Sequence, residues 1–223
     1  MSQRKITASS IIEILEHLAR CEEGMQLPMG DALASDYDRD PFVLLMGCLL
    51  SLRARDTATY PVCKRLFSQA RTPQELLAIE LAHLENILKP IGFFHAKDAT
   101  LRKVCTVLIS KFDGQVPRDF ETLLTLPGVG RKTANFMICI AFNQPALCVD
   151  THVHRLANKF GWVQTSTPEQ TEYALRAVVP EEWWCRLNTI LVQWGQQVCK
   201  PRLSVRDKAR HQLSSCPCAA RNF

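Results

Sequence analysis

Apolar residues recur at helical spacing through most of the chain. Ile11, Ile12, Leu15, Leu18 and Ala19 lie on one stripe, which predicts an amphipathic helix over residues 9–20. Asp40-Pro41 pairs an N-cap residue with a proline suited to the first helical position, so a helix is expected over 42–52. That stretch is almost wholly apolar and reads as a buried core helix. Thr72-Pro73-Gln74-Glu75 is a capping box opening a helix through Leu77 and Ile79. Thr167-Pro168-Glu169-Gln170 repeats the signature ahead of a helix over 173–178. Pro61, Pro90, Pro117 and Pro180 read as punctuation between helices. No stretch alternates apolar and polar residues at period two. Residues 146–149 form a short apolar link. The pattern predicts an all-α protein of about ten helices.

One segment interrupts the helical texture: Leu126-Pro127-Gly128-Val129-Gly130-Arg131-Lys132-Thr133-Ala134. A helix ends near Leu126, a glycine hairpin follows, and a new helix starts near Arg131. Glycine allows positive φ or close approach of the backbone to a ligand. N–H groups in the first turn of a helix lack intrahelical partners and favour anions. Taken alone, the hairpin fits a plain helix–helix corner as well as it fits a phosphate site.

Composition adds little until charge is placed along the chain. The 223 residues are 47% hydrophobic and 22% charged, which excludes disordered, collagen-like and coiled-coil readings. No apolar run approaches the roughly 18–20 residues of a membrane helix, so no membrane partner is expected. The N-terminus, with Glu13 and Glu16 in its first apolar stretch, does not read as a signal peptide. The net charge is +5. Residues 199–223 carry six Lys or Arg against one acid, whereas residues 1–198 balance 21 against 21. A basic tail suits a polyanion, but a neutral body must hold it through placed groups. Cys48, Cys63, Cys105, Cys139 and Cys148 sit in apolar surroundings and read as small core residues.

Lys132 falls in the first turn after the hairpin. The positive helix end and burial in a pocket would both favour a neutral, nucleophilic amine. Its plain reading is a solvated or phosphate-pairing side chain. Asp150 precedes Thr151-His152-Val153 and reads as a helix N-cap; a capping carboxylate can still face a pocket and take a proton.

Leu-Pro-Gly-Val-Gly-Arg-Lys-Thr-Ala, followed by Val149-Asp150-Thr151-His152-Val153, resembles the helix-hairpin-helix DNA glycosylases of the endonuclease III family. Two upstream segments, Leu49-Leu50-Ser51-Leu52-Arg53-Ala54-Arg55-Asp56 and Ile91-Gly92-Phe93-Phe94-His95-Ala96-Lys97, are similar to that family's segments facing the damaged strand. The resemblance covers roughly residues 30–200. It implies two helical lobes, 30–143 with the hairpin and 1–29 plus 144–223 with the basic tail, and a DNA-binding cleft between them. It implies a monomer in the cytoplasm, at the nucleoid, acting on double-stranded DNA with damaged bases or abasic sites.

The same resemblance implies the chemistry. Lys132 and Asp150 match the catalytic pair of a bifunctional glycosylase and AP lyase that removes oxidised pyrimidines. Gly128, Val129, Gly130 and Arg131 would hold the DNA backbone, with His152 as a structural or phosphate-side residue and His154 solvated. Arg53 would fill the gap opposite the extruded base, and Phe93 would stack in the vacated space. Their plain readings are a surface arginine and a core aromatic. Ser51 and Asp56 would line the pocket, although Asp56 reads equally as a partner of Arg53 or Arg55.

The C-terminus departs from the family pattern. Many members end in cysteines spaced C-x6-C-x2-C-x5-C around a [4Fe–4S] cluster. Cys199 fits the first position, but Arg206, Ala209 and Ser215 stand at the others. The expectation is therefore no iron–sulfur cluster and no metal, with zinc on Cys199, His211, Cys216 and Cys218 a minor alternative. Two competing functions are a monofunctional adenine or mismatch glycosylase, against which Lys132 speaks, and a non-catalytic DNA-binding module.

Overall fold

The computed structural model describes residues 7–22, 24–202 and 216. Among the described residues there are helices and no strands, so the all-α expectation holds. Internal contacts divide the chain into two units, residues 29–144 and residues 1–28 with 145–223.

The 29–144 unit is built around one helix. Its helices are α2 (Met29–Asp36), α3 (Pro41–Ser51), α4 (Asp56–Phe67), α5 (Pro73–Ala78), α6 (Leu81–Leu88), α7 (Phe94–Phe112), α8 (Phe120–Leu124) and α9 (Arg131–Phe136), after which a π-helical turn spans Met137–Ala141. In α1 (Ala8–Arg20), by contrast, only Ile11, Leu15 and Leu18 are fully buried. Residues 42–47, 49 and 50 of α3 are all buried, as a helix apolar on every face must be. It packs against α2, α4, α7, α9 and the π-helical turn. Asp40 caps it by accepting the Val43 N–H at 3.0 Å, and Thr72 and Glu75 form the expected capping box of α5.

Pro61 does not punctuate; it lies inside α4. An interior proline costs about 3 kcal/mol. Burial of Val62, Cys63, Leu66 and Phe67 on the same helix offsets this at about 1.5–3 kcal/mol per fully buried large apolar side chain.

The other unit gathers α1, α10 (Thr151–Lys159), α11 (Pro168–Arg176) and α12 (Trp184–Gln197) around Leu15, Leu18, Leu156, Phe160, Leu191 and Trp194. The link at 146–149 is buried within it. Asn188 Nδ2 donates to the Cys148 carbonyl at 3.1 Å, which anchors the chain just before Asp150. Gln26 exchanges backbone bonds with the Gln197 side chain, 3.0 Å to its N–H and 2.8 Å to its carbonyl. The N-terminal segment is thereby sewn to α12 before the chain enters the other unit.

Candidate active site and nucleic-acid interface

The hairpin joins α8 to α9, and its two glycines differ. Gly128 has φ +78°, and a Cβ there would meet Thr100 Cγ2 at 3.1 Å and Leu49 Cδ2 at 3.3 Å. Gly130 is extended, with φ −107° and ψ 177°, and a Cβ there would meet nothing within 4 Å. It occupies the N-cap of α9, where it has no side chain to cap the helix. Val129 is buried, and its N–H donates to the Leu126 carbonyl at 3.1 Å. Anion contacts are therefore expected from Gly130 onward rather than from Val129. The Arg131 guanidinium stacks on the Phe120 ring, 5.0 Å from its centroid.

Lys132 is exposed, at the second position of α9. Burial pushes the Cys48 thiol up to about 11, against the opposing pull of the Lys132 charge. The amine thus lies within electrostatic reach of α3, whose end leads to the segment 51–56.

That segment is tightly turned. Ser51 is half-buried and its hydroxyl donates to the Cys48 carbonyl at 2.8 Å. Arg53 is exposed with φ +54°. Asp56 opens α4, and its carboxylate accepts the Met29 N–H at 3.4 Å, a structural bond that the sequence does not reveal. Phe93 precedes α7 with φ +59° and is 68% exposed, so it is not a core aromatic. Non-glycine residues rarely take positive φ, and the strain tends to gather at functional sites. Both residues singled out to enter the strand adopt it.

Lys97, to which the sequence assigns no role, lies beside this segment. It is buried at 7% exposure, and its Nζ donates to the Leu50 carbonyl. Its position was readable, because Lys97, Leu101, Val104, Cys105 and Leu108 share the buried stripe of α7.

In the other unit, Asp150 caps α10. Its Oδ1 accepts the N–H of His152 at 2.9 Å and of Val153 at 2.8 Å. Both bonds fall on one oxygen, which leaves Oδ2 to take a proton or face a cation. His152 packs on α12; a Cβ at Gly195 would fall 2.5 Å from its Nδ1 and 3.0 Å from its Cβ. His154 is not solvated as expected. Its Nδ1 lies 2.6 Å from Thr171 Oγ1, in a part-buried network with Asn158 and Thr165. It faces α11, a neighbour distant in sequence.

A family model described as HhH-GPD superfamily base excision DNA repair protein matches residues 46–181. Endonuclease III of Thermotoga maritima is 44% identical over 165 residues, covering 74% of this chain and 78% of that protein. Endonuclease III homolog 1, chloroplastic, of Arabidopsis thaliana is 32% identical over 223 residues, covering 93% of this chain; the chain spans 59% of that longer relative. A structure described as a trapped endonuclease III–DNA covalent intermediate, in an estranged-adenine complex, superposes with a TM-score of 0.78 at 33% identity, covering 90% and 91% of the two chains.

These matches correct one expectation. The sequence pattern led us to expect no iron–sulfur cluster, but endonuclease III homologues carry a [4Fe–4S] cluster, so kinship overturns that expectation. Among the described residues, Cys199 and Cys216 are buried thiols. The Cys199 sulfur receives Lys159 Nζ at 3.4 Å and Arg155 Nη1 at 3.8 Å, and the Cys216 sulfur receives Trp194 Nε1 at 3.2 Å. Cationic and N–H donors suit a thiolate ligand. A [4Fe–4S] cluster takes four thiolates, and no group of three or more metal-ligating side chains converges among the described residues. The described residues therefore do not make up the ligand set. Arg206, Ala209, His211, Ser215 and Cys218 lie outside the described residues. With a family model covering more than half of the sequence and a 44% identical relative, the chain belongs to the HhH-GPD superfamily of base excision DNA repair proteins, in the endonuclease III family.

Proposed function

We propose that the chain is a bifunctional DNA glycosylase and AP lyase of base excision repair, removing oxidised pyrimidines from double-stranded DNA. The observation that carries this reading is a primary amine, Lys132, exposed in the first turn after the glycine hairpin, in a chain similar to a protein trapped covalently on DNA. The lobes of the reading are 30–143, which carries the hairpin, and 1–29 with 144–223, which carries Asp150 and the basic tail. The protein acts as a monomer, in the cytoplasm at the nucleoid. No described helix is long and apolar enough to cross a membrane.

Gly130, Arg131 and the first turn of α9 hold a backbone phosphate, with Gly128 and Val129 shaping the hairpin and His152 contacting the strand. Arg53 hydrogen-bonds the orphaned base, and Phe93 stacks where the damaged nucleotide stood. Ser51 and Asp56 border the extruded nucleotide. The Asp150 carboxylate accepts the ammonium proton of Lys132 and stabilises positive charge developing on the sugar. The free amine attacks C1′, the C1′–N bond breaks, and the base leaves with a proton. Ring opening gives a Schiff base between Nζ and C1′. Loss of a C2′ proton then expels the 3′ phosphate, cutting the strand, and water later releases the lysine.

Borohydride reduction during reaction with abasic-site DNA tests this directly. The protein is expected to become covalently attached, and Lys132→Gln to lose attachment while still binding the duplex. Base release without strand cleavage would instead assign a monofunctional glycosylase, and binding without either reaction a non-catalytic module.

A further inference from the structure

Arg53 and Phe93 lie on different loops, and one buried side chain links those loops. Lys97 stands four residues after Phe93, and its N–H donates to the Phe93 carbonyl at 3.0 Å. Its Nζ donates to the carbonyl of Leu50, in the last turn of α3 and three residues before Arg53. Carbonyls in a final helical turn lack intrahelical partners, and a cation there also meets the negative end of the helix dipole. Burial holds the Lys97 ammonium below the ordinary lysine range, against the opposing effect of Cys63. An apolar side chain would continue the buried stripe of α7 without that desolvation. The polar group is therefore kept for what it bonds.

The turn that Lys97 anchors is short. The Leu52 N–H donates to Leu49 and the Ala54 N–H to Ser51, at 3.4 and 3.0 Å, with Arg53 at positive φ between them. A shift at the end of α3 would pass directly into Arg53.

We propose that Lys97 is a positioning residue for lesion recognition: by bonding the last turn of α3 to the first turn of α7, it sets the spacing at which Arg53 and Phe93 enter the strand. This rests on the entry role proposed above for those two residues.

A double-mutant cycle tests it, reading single-turnover excision of an oxidised pyrimidine from duplex DNA alongside the thermal midpoint. Lys97→Met is expected to slow excision roughly 10- to 100-fold, the scale on which ångström displacements act. Lys97→Arg, which keeps a donor for the carbonyl, should recover most of that rate. In a Phe93→Ala background, Lys97→Met should cost far less, because the residue being positioned is gone. Independent effects that multiply in full, or unaltered excision in folded Lys97→Met, would overturn the proposal. If Lys97→Met does not fold, Lys97→Leu, which also lacks a donor, enters the same cycle under the same criterion. Unchanged excision in both Phe93→Ala and Arg53→Ala would remove the entry role itself, and Lys97 with it. Loss of borohydride trapping in the wild-type protein would be a failure of the enzymatic reading instead.

Discussion

At Gly128 the backbone is left-handed and an added Cβ meets two side chains, whereas at Gly130 it is extended and meets none. Gly128→Ala should therefore destabilise by about 1–3 kcal/mol, the cost of a left-handed non-glycine residue, while Gly130→Ala should stay within about 0.5 kcal/mol. Urea unfolding of the two variants checks the contrast. Sequence alone treats the two glycines alike; their φ values and neighbours separate them. Gly195 carries a similar lesson. An alanine inside α12 would by propensity stabilise the helix by about 1 kcal/mol, but its Cβ would fall 2.5 Å from His152 Nδ1. The clash should win and displace the ring. Weakened duplex affinity in Gly195→Ala is expected, and unchanged affinity would remove His152 from the interface. A glycine between Trp194 and Gln196 was the only signal, and it does not say which side chain needs the space.

The caps of α3, α5, α10 and α11 were legible because a cap is made within four residues of itself. Asp40, Thr72, Asp150 and Thr167 all accept the backbone bonds their positions predict. Carboxylates in such roles make stability depend on acid. Bonds from the Arg71 and Thr72 N–H groups hold Glu75 below its usual range, and bonds from Thr122 do the same for Asp119. A group whose folded value is depressed contributes fully above its unfolded value and loses that contribution as pH falls through the folded one. The thermal midpoint should therefore drop as pH is lowered from about 5 to about 3, and drop less in Glu75→Gln, as a calorimetric series would show. Pro61 was misread because helix breakers act locally, whereas the burial that outweighs this one comes from neighbouring helices. The π-helical turn after α9 has no local signature at all.

Charge belongs to the longest reach of the chain. Residues 203–223 hold four Lys or Arg and one acid, so replacing Arg206, Lys208, Arg210 and Arg221 with Gln should weaken duplex binding. The slope of log affinity against log salt should become shallower by about 2–4 if these groups neutralise phosphates. Titrations from low to physiological salt measure this, and an unchanged slope would show that the tail contacts no backbone. The all-α class, the hairpin and the family were all readable along the chain, because periodicity, capping and motif order are properties of neighbours in sequence. The burial of Lys97 against Leu50, the bond from Met29 to Asp56, the burial of His154 against α11 and the exposure of Phe93 were not. Each depends on residues from 17 to 47 positions apart or on the solvent left around a folded loop, and desolvation acts only once those partners have met.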